Sequence, residues 1–189
     1  MKHLMIDLET MDNKPTAAIT SIGAVFFNPE TGEMGEQFYQ RVSLDSCVEH
    51  GLTMGASTVR WWMRQDAEAR SEILNEDCLD LSLSLANLEA FVTEHSDPSK
   101  VQVWGNGAAF DNVILRNAAE KCGFSEPLWF FWNDRDVRTI VELSKNLGLN
   151  VHNIIQFEGV KHHALYDAIH QAKIVSYVWM YLVKIASVK

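Results

Sequence analysis

Asp7 and Glu9 are the first residues from which a chemistry can be argued. They stand two positions apart in the run His3–Thr10, and in a strand residues i and i+2 project from the same face. Two carboxylates side by side on a buried strand repel each other. A divalent cation removes that cost, and oxygen ligands suit Mg²⁺ or Mn²⁺. Two solvated acids at a strand end are the plain alternative, and the pair alone leaves both open. Asp111 follows Trp104-Gly105-Asn106-Gly107 and falls in the first turn of a helix, where the helix dipole by itself accounts for an acid. His162 and Asp167 lie at the start of the last helix. A histidine in a loop there can swing over and take a proton from a water; a surface histidine pair is the alternative.

In combination, Asp7-x-Glu9, then Asp111, then His162-x-Ala164-x-x-Asp167 resemble the DEDDh exonuclease family, which includes RNase T, oligoribonuclease and the proofreading subunit of polymerase III. The likeness runs from residue 4 to about residue 172. Each motif is short; their order, spacing and placement are jointly specific. Asp7-Leu8-Glu9-Thr10, Trp61-Trp62 and Trp104-Gly105-Asn106-Gly107-Ala108-x-Phe110-Asp111-Asn112 carry a closer similarity to phage and prophage exonucleases of the exodeoxyribonuclease VIII-like type and to mycobacterial-type exoribonucleases. Many members have His-Asn where this chain has Asn106-Gly107, a departure that bears on substrate contacts more than on metal binding.

The resemblance implies an RNase H-like α/β fold, a mixed five-stranded sheet with helices on both faces, over a single exonuclease domain spanning residues 1–189. It implies hydrolysis of single-stranded DNA or RNA from the 3′ end, with release of nucleoside 5′-monophosphates. Asp7, Glu9, Asp111 and Asp167 would hold two Mg²⁺ or Mn²⁺ ions, with Asp7 shared between them, and His162 would act as base. The sister DEDDy group has a tyrosine four residues before the last aspartate; here that position is His163, and Tyr166 adjoins Asp167. His162 fits the histidine pattern, and His163 is assigned a structural or secondary role. Thr10 and Met11 would receive the 3′ hydroxyl through backbone groups. Trp61 would stack on the terminal base beside Phe110 and Met11, with Trp62 in the core and Asn106 in the substrate loop.

Two readings from other classes compete. One is a catalytically silent module that binds nucleic-acid ends or a partner protein, against which the intact carboxylate set argues. The other is a phosphodiesterase restricted to very short oligonucleotides, which a narrow closed pocket at the Trp61–Trp62 helix would favour. The preference between DNA and RNA rests on 2′-hydroxyl contacts that the sequence does not locate.

The elements that must position these residues are legible as follows. Residues 2–9, 18–28 and 33–43 read as strands, antiparallel because their connections are short, with Pro29-Glu30-Thr31-Gly32 as a turn. Ser57 and Thr58 are placed to cap a helix holding Trp61, Trp62 and Met63; residues 66–76 read as a charged helix and Leu83–His95 as another. Val101–Gly105 is a short strand, Ala108–Lys121 a helix closed by Gly123, and residues 125–135 read as irregular and aromatic. Val137–Leu147 reads as a helix stopped by Gly148, with Asp136 as its cap rather than a metal ligand. Residues 149–161 read as loop, and the last helix runs from about His163 to Ile185. Strands followed by helices, a strand and further helices give an α/β layer architecture.

Composition sets the outer limits. The net charge of −9 argues against a protein that coats nucleic acid by counterion release, but not against one that grips a strand end with metal ions offsetting its carboxylates. Cys47, Cys78 and Cys122 form no CxxC pair, so reduced thiols in the cytoplasm are the expectation. No apolar run reaches the roughly 18 residues of a membrane span, and the acids in MKHLMIDLET argue against a signal peptide. Trp129, Phe130, Phe131 and Trp132 form an aromatic run suited to cover a sheet edge or to serve a homodimer interface. Arg135 or Arg138 is placed to reach a phosphate.

Overall fold

The computed structural model describes residues 1–74 and 76–187. Strands β1 (His3–Thr10), β2 (Ile19–Asn28) and β3 (Glu33–Arg41) form an antiparallel meander. Helices α1 (Leu44–Glu49), α2 (Ala56–Trp62), α3 (Ala67–Leu74) and α4 (Leu81–His95) follow. Then come β4 (Gln102–Gly105), α5 (Asp111–Lys121), β5 (Asp134–Asp136), α6 (Val137–Asn146), α7 (Val151–Ile154) and α8 (Ala164–Ala186). The sheet order is β3-β2-β1-β4-β5, with β4 parallel to β1 and β5 parallel to β4. This is the mixed five-stranded sheet that the resemblance implied.

The period-2 alternation of β1 divides the core. Leu4, Ile6 and Leu8 pack with Leu81, Leu85 and Leu88 of α4 and with Ile114 and Leu115 of α5. Met5 faces the other way, with Trp104, Val137 and the α8 residues Ala168, Ala172 and Val175. Strand β2 is buried from Ile19 through Phe27 on both faces, as a central strand must be when helices cover both sides.

Several expectations are corrected. Ser57 and Thr58 lie inside α2, whose cap is Gly55 with no side-chain bond; Gly55 is fixed instead by donating its N–H to Met11 O at 2.7 Å. Helix α5 begins at Asp111, not Ala108, because Gly107 has a positive φ of 107° and a turn closes from Phe110 N–H to Gly107 O at 2.6 Å. The aromatic segment holds a 3-10 turn at Phe131–Asn133 and the fifth strand. A short helix, α7, interrupts the expected loop at 149–161, and α1, capped by the Ser43 side chain, has no counterpart in the sequence pattern. The expected helix 66–76 spans Ala67–Leu74; Asn75 lies outside the described residues. Trp129 is a core residue, 1% exposed, whereas Phe131 and Trp132 are 66% and 58% exposed. Among the described residues no helix is long and apolar enough to cross a membrane.

Candidate active site

Asp7 and Glu9 lie on the α8 side of β1, since strand alternation places Leu4, Ile6 and Leu8 on the opposite side. Strand β4 pairs with β1 only as far as Met5, so the backbone of Leu8 has no β4 neighbour. Asp111 fills that gap from the start of α5: its Oδ1 accepts the Leu8 N–H at 3.2 Å. The approach depends on Gly105, where a Cβ would stand 2.6 Å from Asn112 Oδ1 and 3.1 Å from Asp111 Oδ2. Opposite, Gly23 is the cross-strand partner of Asp7 and carries the first residue of α8 against its backbone. Asp167, in the first turn of α8, is thereby held over β1.

Carboxylate oxygens of Asp7, Glu9 and Asp167 lie within 4.8 Å of one another. Asp7 Oδ1 accepts a hydrogen bond from Gln171 Nε2 at 2.7 Å, and Gln171 is one helical turn beyond Asp167 on the same face of α8. Asp167 Oδ2 is buried without a hydrogen-bond partner among the described residues. A buried acceptor left open costs stability; a cation in the trio would satisfy it. The donor set is all oxygen, which suits a hard divalent ion. Asp111 stands outside that trio, close enough for its charge to act on both Asp7 and Glu9.

Burial and mutual repulsion govern the protonation of these acids. Burial, then the charges of Asp111, Glu9 and Asp167, push Asp7 well above the usual carboxylate range, with the Gln171 hydrogen bond opposing. Burial, then Asp167 and Asp111, raise Glu9 to about 8. Burial raises Asp111 to about 7, against the N–H of Leu8 and the charge of Arg138. Burial also raises Asp167, with His162 opposing. Each of these shifts is one that a nearby positive charge opposes, by favouring the ionised carboxylate.

The two neighbouring histidines diverge. His162 has a positive φ of 61°, a conformation costing a side-chain-bearing residue roughly 1–2 kcal/mol. Its ring meets Trp61 and Trp62 edge-on, at 5.0 and 6.0 Å between centroids. His163 turns away from the acids, stacks on Tyr39 at 4.1 Å and precedes α8 as its N-cap residue. The Tyr39 hydroxyl in turn donates to Glu72 Oε2 at 2.7 Å, and Arg41 grips the same oxygen.

Of the expected substrate residues, Thr10 follows Glu9 and Phe110 precedes Asp111 along the chain, and Trp61 meets the His162 ring. Trp61 is 42% exposed, whereas Trp62 is 4% exposed and donates its Nε1–H to Thr10 O at 2.9 Å. Thr10 and Met11 are buried. Met11 gives its N–H to Ala18 O at 2.8 Å and receives Gly55 N–H at its carbonyl, so each backbone carbonyl keeps one lone pair for a further donor. Phe110 packs partly buried on the core, and the backbone of Asn106 faces the Asp111 carboxyl. Arg135 is held by Trp132 O and Asp134 O, while the guanidinium of Arg138 lies beside Gly107. Asp136 caps α6 through Thr139 N–H at 2.8 Å and also accepts Ala108 N–H at 2.8 Å, pinning the loop that leads to Asp111. Two residues of the site lie outside the sequence reading, Gln171 and Gly23. Their signals are present in the chain: helical spacing of four from Asp167, and a glycine inside a strand, which marks close backbone approach.

The arrangement can hold hard cations against a phosphate and offers a histidine beside them. Comparison with known proteins gives the same direction. The family described as the 3′-5′ exoribonuclease Rv2179c-like domain matches residues 2–179. An exodeoxyribonuclease of Enterobacteria phage T4 is 32% identical over 163 residues, covering 75% of this chain and 71% of the relative. Among solved structures, the nuclease domain of 3′hExo, a DEDDh family member bound to rAMP, is 13% identical with a TM-score of 0.59, over 93% of this chain and 90% of that one. E. coli exonuclease I in its zinc-bound complex with single-stranded DNA is 17% identical with a TM-score of 0.63, over 99% of this chain and 41% of that one. At these identities the two structures speak for the fold alone.

Proposed function

The chain belongs to the family of Rv2179c-like 3′-5′ exoribonuclease domains, a DEDDh 3′-5′ exonuclease family, and from that premise we propose how it works and on what. Its substrate is the 3′ end of single-stranded DNA or RNA, and residues 1–189 act as one domain in the cytoplasm. Asp7, Glu9, Asp111 and Asp167 hold two Mg²⁺ or Mn²⁺ ions. The observation that carries this reading is the meeting of Asp7, Glu9 and Asp167 oxygens within 4.8 Å beside a fourth buried acid, from three separate stretches of chain.

Two bound divalent ions, when present, stabilise the attacking and leaving oxygens of an in-line displacement at phosphorus. The protein does the rest. Asp7, which feels the charges of Asp111, Glu9 and Asp167 alike, would be the carboxylate shared by both ions. Gln171 fixes the rotation of the Asp7 carboxylate through its Nε2–H. His162 takes the proton of the attacking water, whose oxygen bonds to phosphorus as the P–O bond to the 3′ oxygen of the penultimate nucleotide breaks; that oxygen takes a proton from solvent to become the new 3′ hydroxyl, and a nucleoside 5′-monophosphate is released. Trp61 offers an exposed face on which the terminal base stacks, for roughly 1–3 kcal/mol. The His162 ring stands beside that subsite, 5.0 Å from Trp61 between centroids. Phe110 and Met11 flank the terminal nucleotide, the carbonyls of Thr10 and Met11 accept its 3′ hydroxyl, and Asn106 borders it from the loop after β4. The exposed Phe131 and Trp132, at the end of β5 away from the acids, would cover a homodimer contact.

The test is direct. Single-stranded DNA and RNA of one sequence, labelled at the 5′ end, are incubated with the protein and Mg²⁺ or Mn²⁺. Ladders shortening from the 3′ end are expected, and comparison of the two polymers assigns the sugar preference. An intact label on both polymers would remove the reading in favour of a silent end-binding module.

A further inference from the structure

A second feature adjoins the site at Trp62. Helices α2 and α3 enclose a cleft of about 250 Å³ lined by Met11, Val59, Trp62, Met63, Ile73 and Leu74, with Arg70 at its rim. Its inner wall, Met11 and Trp62, is continuous with the acid cluster, because Trp62 donates to the carbonyl of Thr10, the residue after Glu9. Its outer wall is unusually open for apolar side chains: Met63 is 68% and Leu74 79% exposed. The volume is below the roughly 300–1,000 Å³ of pockets that hold whole small molecules, so it suits one flat apolar group rather than a cofactor.

The charges around the cleft indicate what that group is attached to. Arg70 lines the cleft, its Nη1 donating to Met63 O at 3.2 Å, and Arg60 and Arg64 lie on the same α2–α3 segment of a chain whose net charge is −9. All three are exposed and, among the described residues, none forms an ion pair. The same segment carries three acids: Asp66 caps α3 through Ala69 N–H, Glu72 is held by Arg41 and Tyr39, and Glu68 stands exposed in the first turn of α3. Basic side chains interleaved with apolar and aromatic ones are the chemistry of single-strand binding, in which each base offers a stacking face and each phosphate a charge.

We propose that the α2–α3 cleft receives an unstacked base of the strand upstream of the cleaved nucleotide, and that Arg60, Arg64 and Arg70 hold the adjoining phosphates. The inference rests on the exonuclease reading and adds to it a substrate class: strands several nucleotides long, rather than dinucleotides. The cleft then supplies affinity that a dinucleotide cannot use, since a dinucleotide is consumed within the acid cluster and the Trp61 subsite.

The experiment compares steady-state hydrolysis of a 5′-labelled dinucleotide and a 5′-labelled dodecanucleotide by the wild-type protein and by two variants, Met63→Ser/Leu74→Ser and Arg60→Gln/Arg64→Gln. All four side chains are exposed, so the fold tolerates the changes. The wild type should favour the long strand. Loss of the cleft should raise KM for the dodecanucleotide roughly fivefold or more, the low end of one stacked base, with kcat held and dinucleotide hydrolysis nearly unmoved. Loss of the arginines should flatten the salt dependence of that KM by about 0.7 in log–log slope for each phosphate contact removed. Equal losses on both substrates, no loss on either, or a wild type indifferent to length would overturn the proposal. A wild type that cleaves neither substrate would overturn the exonuclease reading beneath it, an outcome distinct from the others.

Discussion

Gly23 in the middle of β2 lies directly under Ala164, the first residue of α8: a Cβ on Gly23 would stand 2.1 Å from the Ala164 carbonyl carbon and 2.3 Å from the Leu165 nitrogen. Since Gly23 is also the cross-strand partner of Asp7, this contact sets the distance between the strand that carries two of the acids and the helix that carries the fourth. The obstacle to a side chain there is backbone, which cannot rotate aside.

Gly23→Ala is therefore expected to push the start of α8 off the sheet, separating Asp167 from Asp7 and Glu9. Overpacking of this kind costs roughly 1–3 kcal/mol of stability, whereas activity should fall far below what that loss alone explains. Thermal unfolding alongside kcat/KM checks it. A variant that is destabilised yet fully active would show that the α8 approach is not limiting.

His162→Ala should lower kcat by roughly 10²–10⁴-fold, the usual worth of a positioned proton acceptor, while leaving the stabilisation of the protein by Mn²⁺ intact, because His162 is not among the gathered oxygens. His163→Ala should act differently, through stability, since its ring packs on Tyr39; His163→Phe, which keeps the stack, should recover most of it. Interchange of these two phenotypes would reverse the assignment of the pair.

Gln171 tests the support of the cluster. Its Nε2–H holds Asp7 Oδ1 at 2.7 Å, and removal of such an orienting partner typically costs roughly 10–100-fold in metal affinity or activity. Gln171→Ala should raise the metal concentration needed for half-maximal stabilisation by about that factor. An unchanged metal titration would make the bond incidental.

The pH dependence of the metal-free protein follows from the raised acids. Unfolded, Glu9 and Asp111 ionise near their ordinary values of 4.5 and 3.8; folded, they keep their protons to about 8 and about 7. Between those limits the unfolded chain binds fewer protons than the folded one, so this contribution to stability is present at low pH and is lost as pH rises. Without metal, Tm should fall from about pH 5 to about pH 8, and Mg²⁺ should return most of the difference. Glu9→Gln should show a shallower fall. Equal slopes for wild type and variant would contradict the repulsion between these acids.

How much of this is legible in the sequence depends on the kind of signal. Asp7 and Glu9 can be placed on one face because strand periodicity is a local property. Asp111 and Asp167 join them only through resemblance, since no periodicity reports contacts between β1, α5 and α8. Strand β5 escapes the residue pattern because Asp134-Arg135-Asp136 is three charged residues long and pairs only along β4; the implied five-stranded sheet anticipates it. The start of α2 is misleading in sequence because Ser57 and Thr58 have the right side chains for a cap, while the chain is in fact turned by the tertiary bond from Gly55 to Met11. Gln171 reads as one more polar residue in an amphipathic helix until Asp7 is found beside it.

The central claim is that Asp7, Glu9, Asp111 and Asp167 surround two divalent cations. Anomalous diffraction from crystals grown with Mn²⁺ and a non-hydrolysable strand tests it most directly. Two peaks roughly 4 Å apart are predicted, one bounded by Asp7, Glu9 and Asp167 and the other on the Asp7–Asp111 side. A single peak remote from Asp111, or no peak among these carboxylates, would contradict it.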